Sequence, residues 1–144
     1  MSKSAPFDLK DFLPYLLNQA ADVSSRGFEG YYKSKYGLLR TEWRVIFHLG
    51  RYGSITAKEI CDRARIHKTK VSRAVHALEV KRFLKRTQVQ NDRRQESLEL
   101  TASGTRVFED LYQEAGRFDA ESMSAFSEDE RAILRRLLAQ IAGL

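Results

Sequence analysis

Apolar residues recur along this chain at spacings of three and four for most of its length, and alternate with polar ones over one short stretch. From Leu13 to about Lys35, Leu13, Leu16, Leu17, Ala20 and Val23 share one helical stripe. Pro14 is tolerated in a first turn, where no N–H is needed, so the helix starts there and Phe7–Phe12 form an extension. Tyr36-Gly37 ends it. Thr41 is expected to cap a second helix bearing Trp43, Ile46, Phe47 and Leu49, with Gly50 and Gly53 as its stop. Thr56, followed three residues later by Glu59, reads as a capping box that opens a short helix through Ala64. Arg65-Ile66-His67 is then a tight connection. The next helix runs from about Lys68 to Arg82, with Val71, Ala74, Val75 and Leu78 on one face. Its other side shows Lys70, Arg73 and Ala77, with Thr69, Ser72 and His76 nearby.

The period then changes. Residues 83–89 read as one strand and 95–100 as another, and the polar segment Gln90-Asn91-Asp92-Arg93-Arg94 between them reads as a turn. Thr101 caps a long helix to about Ser124, with Val107, Phe108, Leu111, Tyr112, Ala115 and Phe118 on its apolar side. Ser127-Glu128-Asp129-Glu130 is a second capping box, opening a helix with Ile133, Leu134, Leu137, Leu138 and Ile141 in a stripe. The expected fold is mainly α with a small β-hairpin wing: short inner helices between long amphipathic ones.

Composition narrows the class. A chain of 144 residues with 42% hydrophobic positions suits one domain with a real core. No apolar run approaches the roughly 18 residues that a bilayer requires. Asp8 and Asp11 interrupt what a secretion signal would keep apolar, and the single cysteine, Cys61, forms no internal disulfide. A reducing cytoplasm, with no membrane partner, is the expectation. Charge is more telling. Between Arg63 and Gln95 eleven basic residues face two acids, Glu79 and Asp92, so this window carries +9 within a chain of net +6. Such concentration is the footprint of a polyanion, although a solvated basic face would show it too.

A short helix, a three-residue turn and a second helix with a polar outer face form a helix-turn-helix pattern. The first turns of the second helix reach base edges in the major groove, and here they offer Lys68, Thr69, Lys70, Ser72 and Arg73. Arginine bonds a guanine edge at two points, lysine reaches the same acceptors and a threonine methyl touches thymine. The basic hairpin directly afterwards, tipped by Arg93 and Arg94, suits the narrow and negative minor groove. Asp92 pairs with Arg94 to pre-set the tip, or is simply a turn-former. In this scheme Arg73, Thr69 and Lys70 read bases and Arg94 inserts from the wing. Lys68, Ser72, Thr56 and Arg93 anchor phosphates, and His76 and His67 face phosphates or solvent.

The chain resembles the MarR family of winged-helix regulators over nearly its whole length. The resemblance is carried by Leu39-Arg40-Thr41-Glu42-Trp43-Arg44-Val45, by Ile55-Thr56-Ala57-Lys58-Glu59-Ile60 and by the helix from Lys68 to Glu79. Its most specific part is Asp92-Arg93-Arg94 followed by Leu98-Glu99-Leu100-Thr101 and Gly104. The resemblance implies a homodimer in which residues 1–36 and 102–144 form a helical dimerisation region. Residues 37–101 then form the winged helix-turn-helix lobe, in one continuous fold. It also implies a transcriptional repressor on a pseudo-palindromic operator in double-stranded DNA, released by a small aromatic or phenolic effector. The implied pocket, where the first, second and fifth helices meet, collects Tyr31, Tyr32, Trp43, Arg44, Phe47 and His48. Two readings stand there: Arg44 holds the carboxylate of an aromatic ligand, or Trp43 and Phe47 are core and Arg44 pairs with an acid.

Other chemistry has little support. Cys61 lies among Ile60, Ala64 and Ile66 and reads as a small buried hydrophobe, whereas peroxide-sensing relatives place their thiol near the first helix. His48, His67 and His76 are too scattered for a metal site, and no cofactor is expected. There is no Gly-rich phosphate loop, serine elbow or His-Glu metalloprotease helix, so an enzyme is not expected. The competing reading is a winged helix that binds RNA or a protein partner. The basic face carries no aromatics for base stacking, which favours duplex DNA.

Overall fold

The computed structural model describes residues 7–89 and 92–144, with the side chains of all but 89 and 92–95. A 3-10 turn, Leu9–Asp11, capped by the Asp8 carboxylate, precedes helix α1, Leu13–Tyr36. Then follow α2 (Arg40–Tyr52), strand β1 (Ile55–Thr56), α3 (Ala57–Ala64) and α4 (Lys68–Val80). Strands β2 (Leu84–Val89) and β3 (Asp92–Leu100) lead to α5 (Ala102–Ser122) and α6 (Glu128–Ala142). The expected class, mainly helical with a small antiparallel wing, is what the chain forms.

The sheet has the order β1-β3-β2, antiparallel throughout. Ile55 faces Leu98, and on the other side of β3 Leu84 faces Leu100 and Arg86 faces Leu98. The alternation of the strands puts Leu84 and Leu98 on the buried face, at 2% and 1% exposure.

Several local expectations are corrected. Thr41 is not the cap of α2: Leu39 is, in extended conformation and without a side-chain bond, because fully buried Leu38 anchors the chain just before the helix. Gly50 does not stop α2, which runs through it to Gly53. The Phe108 ring occupies the space where a Cβ at 50 would stand, 2.3 Å from ring atoms. Helix α4 ends at Val80 and not at Arg82, whose left-handed φ of +62° breaks the helical run. Helix α5 ends at Ser122, two residues short of expectation. Strand β1 was not anticipated: two residues are too few to show alternation, and only pairing with β3 defines them. Asp92, Arg93 and Arg94 belong to β3, so pairing extends into the segment read as a turn. The other turn residues, Gln90 and Asn91, lie outside the described residues.

Three caps stand where expected. Thr56 Oγ1 accepts from the Glu59 N–H at 3.2 Å, although the described reciprocal contact runs from the Thr56 hydroxyl to the Glu59 carboxylate rather than to the backbone. Ser127 and Glu130 form the full box, each side chain accepting from the other's backbone N–H. Thr101 Oγ1 accepts from the Gly104 N–H at 3.0 Å.

The chain divides into two compact units, the first ending at Leu111 and the second spanning Tyr112–Leu144. The first holds the core, in which Leu38, Val45, Ile46, Ile60, Val71, Leu78, Leu98 and Leu111 are buried. In the second, Arg135 bonds Asp119 at 2.6 Å, and Arg131 Nε donates to the Met123 and Phe126 carbonyls. The apolar stripe of α6 is open: Ile133, Leu134, Leu137, Leu138 and Ile141 are all exposed. None of the described helices is long and apolar enough to cross a membrane.

Candidate nucleic-acid interface

Helix α4 divides its two faces sharply. Val71, Ala74, Val75 and Leu78 are in the core, while Lys68, Thr69, Lys70, Ser72, Arg73 and His76 are exposed. The spacing of the buried set, at intervals of three and four, is what turns the hydroxyls and cations outward. The helix starts at His67, whose Nδ1 accepts from the Thr69 N–H at 3.2 Å, so His67 caps the helix. Its first turn contains no acid, and among the described residues no ion pair engages Lys68, Lys70 or Arg73. Three neighbouring cations are thus without an ion-pair partner among the described residues.

Thr56, half-buried, caps α3 at the near side of this face. Between α3 and α4 opens a cleft of about 330 Å³ lined by Ala57, Lys58, Cys61, Lys68 and Ser72. Lys58 was missed by sequence reasoning: it is the first-turn cation of a helix read only for its cap, and folding sets it beside Lys68. Cys61 is half-buried rather than buried, because it packs on the core and also borders this cleft. Asp92, Arg93 and Arg94 enter at the start of β3, and their side chains lie outside the described residues.

The basic residues after α4 divide by role. Lys85 pairs with Glu99 across the strands at 3.0 Å. Arg86 bonds Glu79 and Glu96, contacts that hold its guanidinium still further up than usual, the Glu96 bond being the larger cause. Lys81 turns inward: its Nζ donates to the Gly37 carbonyl at 2.8 Å and lies 3.9 Å from the buried carboxylate of Glu42.

The six residues expected to line a pocket separate into two groups. Tyr32, Trp43, Phe47 and His48 join one ring cluster together with Phe28 and Phe108, which sequence reasoning did not assign to it. Centroids are 5.0 Å apart for Phe28–Trp43, 5.4 Å for Trp43–Phe47 and 6.1 Å for Phe47–Phe108. The Phe28–Tyr32 and Trp43–Phe47 pairs are each four residues apart, a spacing that could have found Phe28. The position of Phe108, from a helix sixty residues further on, had no such signal. His48 Nδ1 lies 2.6 Å from the Arg44 carbonyl and so carries the proton there. Arg44 itself is exposed, and no ion pair engages it among the described residues, so the reading in which it pairs with an acid finds no partner.

Tyr31 belongs to the second group. Its hydroxyl donates to Asp110 at 2.9 Å, Tyr36 donates to the same carboxylate, and Lys35 Nζ reaches it at 2.9 Å. The Tyr36 hydroxyl, the largest cause, with Lys35 and Tyr31, holds the Asp110 carboxyl below its usual range. Burial, with Asp110 beside it, pushes the Tyr36 phenol up to about 12. This group ties the end of α1 to α5, and Tyr31 is committed to it.

A helix-turn-helix with a three-stranded wing, its second helix presenting exposed cations and hydroxyls, defines a winged helix-turn-helix protein. Residues 36–95 match the family model described as MarR family. It is similar to the uncharacterized HTH-type transcriptional regulator YwaE of Bacillus subtilis, with 28% identity over 76% of this chain and 64% of that protein, under two thirds of its length. It is also similar to the crystal structure of a MarR/EmrR family transcriptional regulator from Acinetobacter sp. ADP1. There identity is 25%, coverage 95% of this chain and 96% of the other, and the TM-score 0.84. The fold of BpsR from Bordetella bronchiseptica superposes with a TM-score of 0.88 at 18% identity, covering 97% of this chain and 99% of the other. That structure concerns regulation of BpsR's DNA binding by 6-hydroxynicotinic acid.

Proposed function

We propose that this chain is a homodimeric, sequence-specific regulator of transcription that represses by binding a pseudo-palindromic operator in duplex DNA. The observation that carries this reading is the outer face of α4, where Lys68, Lys70 and Arg73 stand exposed and, among the described residues, without an ion pair beside Thr69, Ser72 and His76. In the complex Arg73, Thr69 and Lys70 read base edges, and Lys68, Ser72, Thr56 and Arg93 hold phosphates. Arg94, pre-set by Asp92, enters the minor groove from the wing. Residues 1–36 and 102–144 form the dimerisation region and 37–101 the DNA-binding lobe. The exposed stripes of α1 (Leu13, Leu16, Val23) and α6 support this division, because apolar faces of that extent favour burial against a second copy.

An aromatic acid is the proposed effector. Support comes from Arg44, exposed and, among the described residues, without an ion pair next to the ring cluster of Trp43, Phe47 and Tyr32, and from the aromatic acid that regulates BpsR. Tyr31 is left out of this pocket.

The test is to incubate the purified protein with sheared DNA of its source organism, recover bound fragments at about 0.15 M salt and sequence them. Enrichment of an inverted repeat with half-sites about one helical turn apart is the expected result. Binding without enrichment that vanishes as salt rises would overturn the reading and bring an RNA or protein partner forward.

A further inference from the structure

Arg86 lies in the most basic part of the chain, yet its charge is engaged by two carboxylates of the same chain. It faces Leu98 across the β2–β3 ladder, and directly opposed residues share a face, so it leaves the sheet on the buried side, as Leu84 does. From there Nε donates to Glu79 at 3.0 Å and a terminal nitrogen donates to Glu96 at 3.1 Å. Glu79 is on the recognition helix α4, Arg86 on β2 and Glu96 on β3. One planar guanidinium, held on two edges by two carboxylates, fastens both wing strands to the helix beside them.

We propose that Arg86 is a positioning residue, which with Glu79 and Glu96 sets the wing against the recognition helix and so governs how strictly the wing reads its flank of the operator. The inference rests on the DNA-binding reading above. All three side chains are between 37% and 42% exposed, a setting in which ion pairs add little to global stability. The group's consequence therefore lies in orientation, and its removal leaves a folded protein.

The double variant Glu79→Gln/Glu96→Gln separates positioning from charge. Removing two carboxylates beside the DNA face should, by electrostatics alone, tighten binding to every duplex alike. Positioning makes the opposite prediction for selectivity. The probes are duplexes recovered from the sheared-DNA selection and versions of them with flanking A·T pairs changed to G·C. Preference between the two should fall about tenfold, as when one well-placed base contact is lost. In the free protein, amide hydrogen exchange along β2 and β3 should lose protection while the thermal midpoint stays in place. Arg86→Lys should lose the preference as well, because an ammonium cannot hold two carboxylates in one plane, whereas a plain phosphate contact would survive that change. Unchanged flank preference with uniformly tighter binding would overturn the proposal, as would rescue by lysine. If the parent protein selects no duplex, the DNA reading fails by itself. Hydrogen exchange then decides the bracket: lost protection upholds it, and unchanged protection overturns it.

Discussion

Arg82 is, with Arg65, one of two non-glycine residues with a left-handed backbone among the described residues. Its φ of +62° lies in the left-handed region, where a Cβ crowds the neighbouring carbonyl at about 1–2 kcal/mol. The position is held from both sides: Phe83 N–H bonds the Leu78 carbonyl, and Thr101 donates to the Arg82 carbonyl at 2.7 Å. Arg82→Gly should stabilise the protein by about 0.5–1 kcal/mol, the relief of strain exceeding the extra chain entropy of glycine, read as a higher urea midpoint at constant slope. Gly104 is the converse. A Cβ there would stand 1.8 Å from the Phe83 carbonyl oxygen, so the start of α5 could not sit against the chain entering β2. Gly104→Ala should cost about 2–3 kcal/mol in the same measurement. On the proposed DNA face, Lys68→Ala should weaken all duplexes alike and lower the salt slope by about one. Arg73→Ala should instead cost about 1–3 kcal/mol on the operator and blur one position, checked by competition against single-base variants. These outward residues were legible because six exposed polar positions interleave with four buried ones on one helix. Arg82 was read as helical because the pattern of α4 does not show where its last turn gives way.

At the scale of elements, the end of α1 is fastened twice. Lys81, just past α4, donates to the Gly37 carbonyl, and Asp110 on α5 gathers Tyr31, Lys35 and Tyr36. The second tie makes a pH prediction. A carboxylate whose folded pKa is depressed contributes stability at and above its ordinary value near 3.8 and loses it as pH falls through the folded value. Asp110→Asn should therefore lower stability by about 1 kcal/mol at pH 7 and flatten the steepest part of the acid limb below pH 4, followed by urea titration across pH. The ties themselves were not legible. Asp110 and Tyr36 are 74 residues apart, and nothing in the pattern of either helix indicates the other. The capping boxes were legible because their partners are three residues apart, and the pairing of β1 was not, because its partner strand is about forty residues away.

For the whole molecule, the exposed apolar stripes of α1 and α6 bear on the assembly. The proposed dimer seats a second copy on the α6 stripe, and on that proposal Leu134→Lys with Leu138→Lys should halve the mass by sedimentation equilibrium. Operator affinity should fall with it, because two recognition helices held one turn apart no longer bind as a unit. A parent protein already monomeric at micromolar concentration would refute the dimeric arrangement.

The division between sequence and structure follows from distance along the chain. Helix stripes, caps, the basic window and the motif resemblance depend on neighbours within a few residues, and the sequence by itself determined them. It settled the winged helix-turn-helix class and which face of α4 points away from the core. Only the tertiary structure decided which cations stay free: Lys68, Lys70 and Arg73 keep their charge, while Lys81, Lys85 and Arg86 give theirs to internal partners. It also tied Tyr31 to Asp110 and brought Phe28 and Phe108 against the rings of Trp43 and Phe47. Side chains of one type in one charged run are equivalent until folding sets an acid beside some of them and leaves the others facing water.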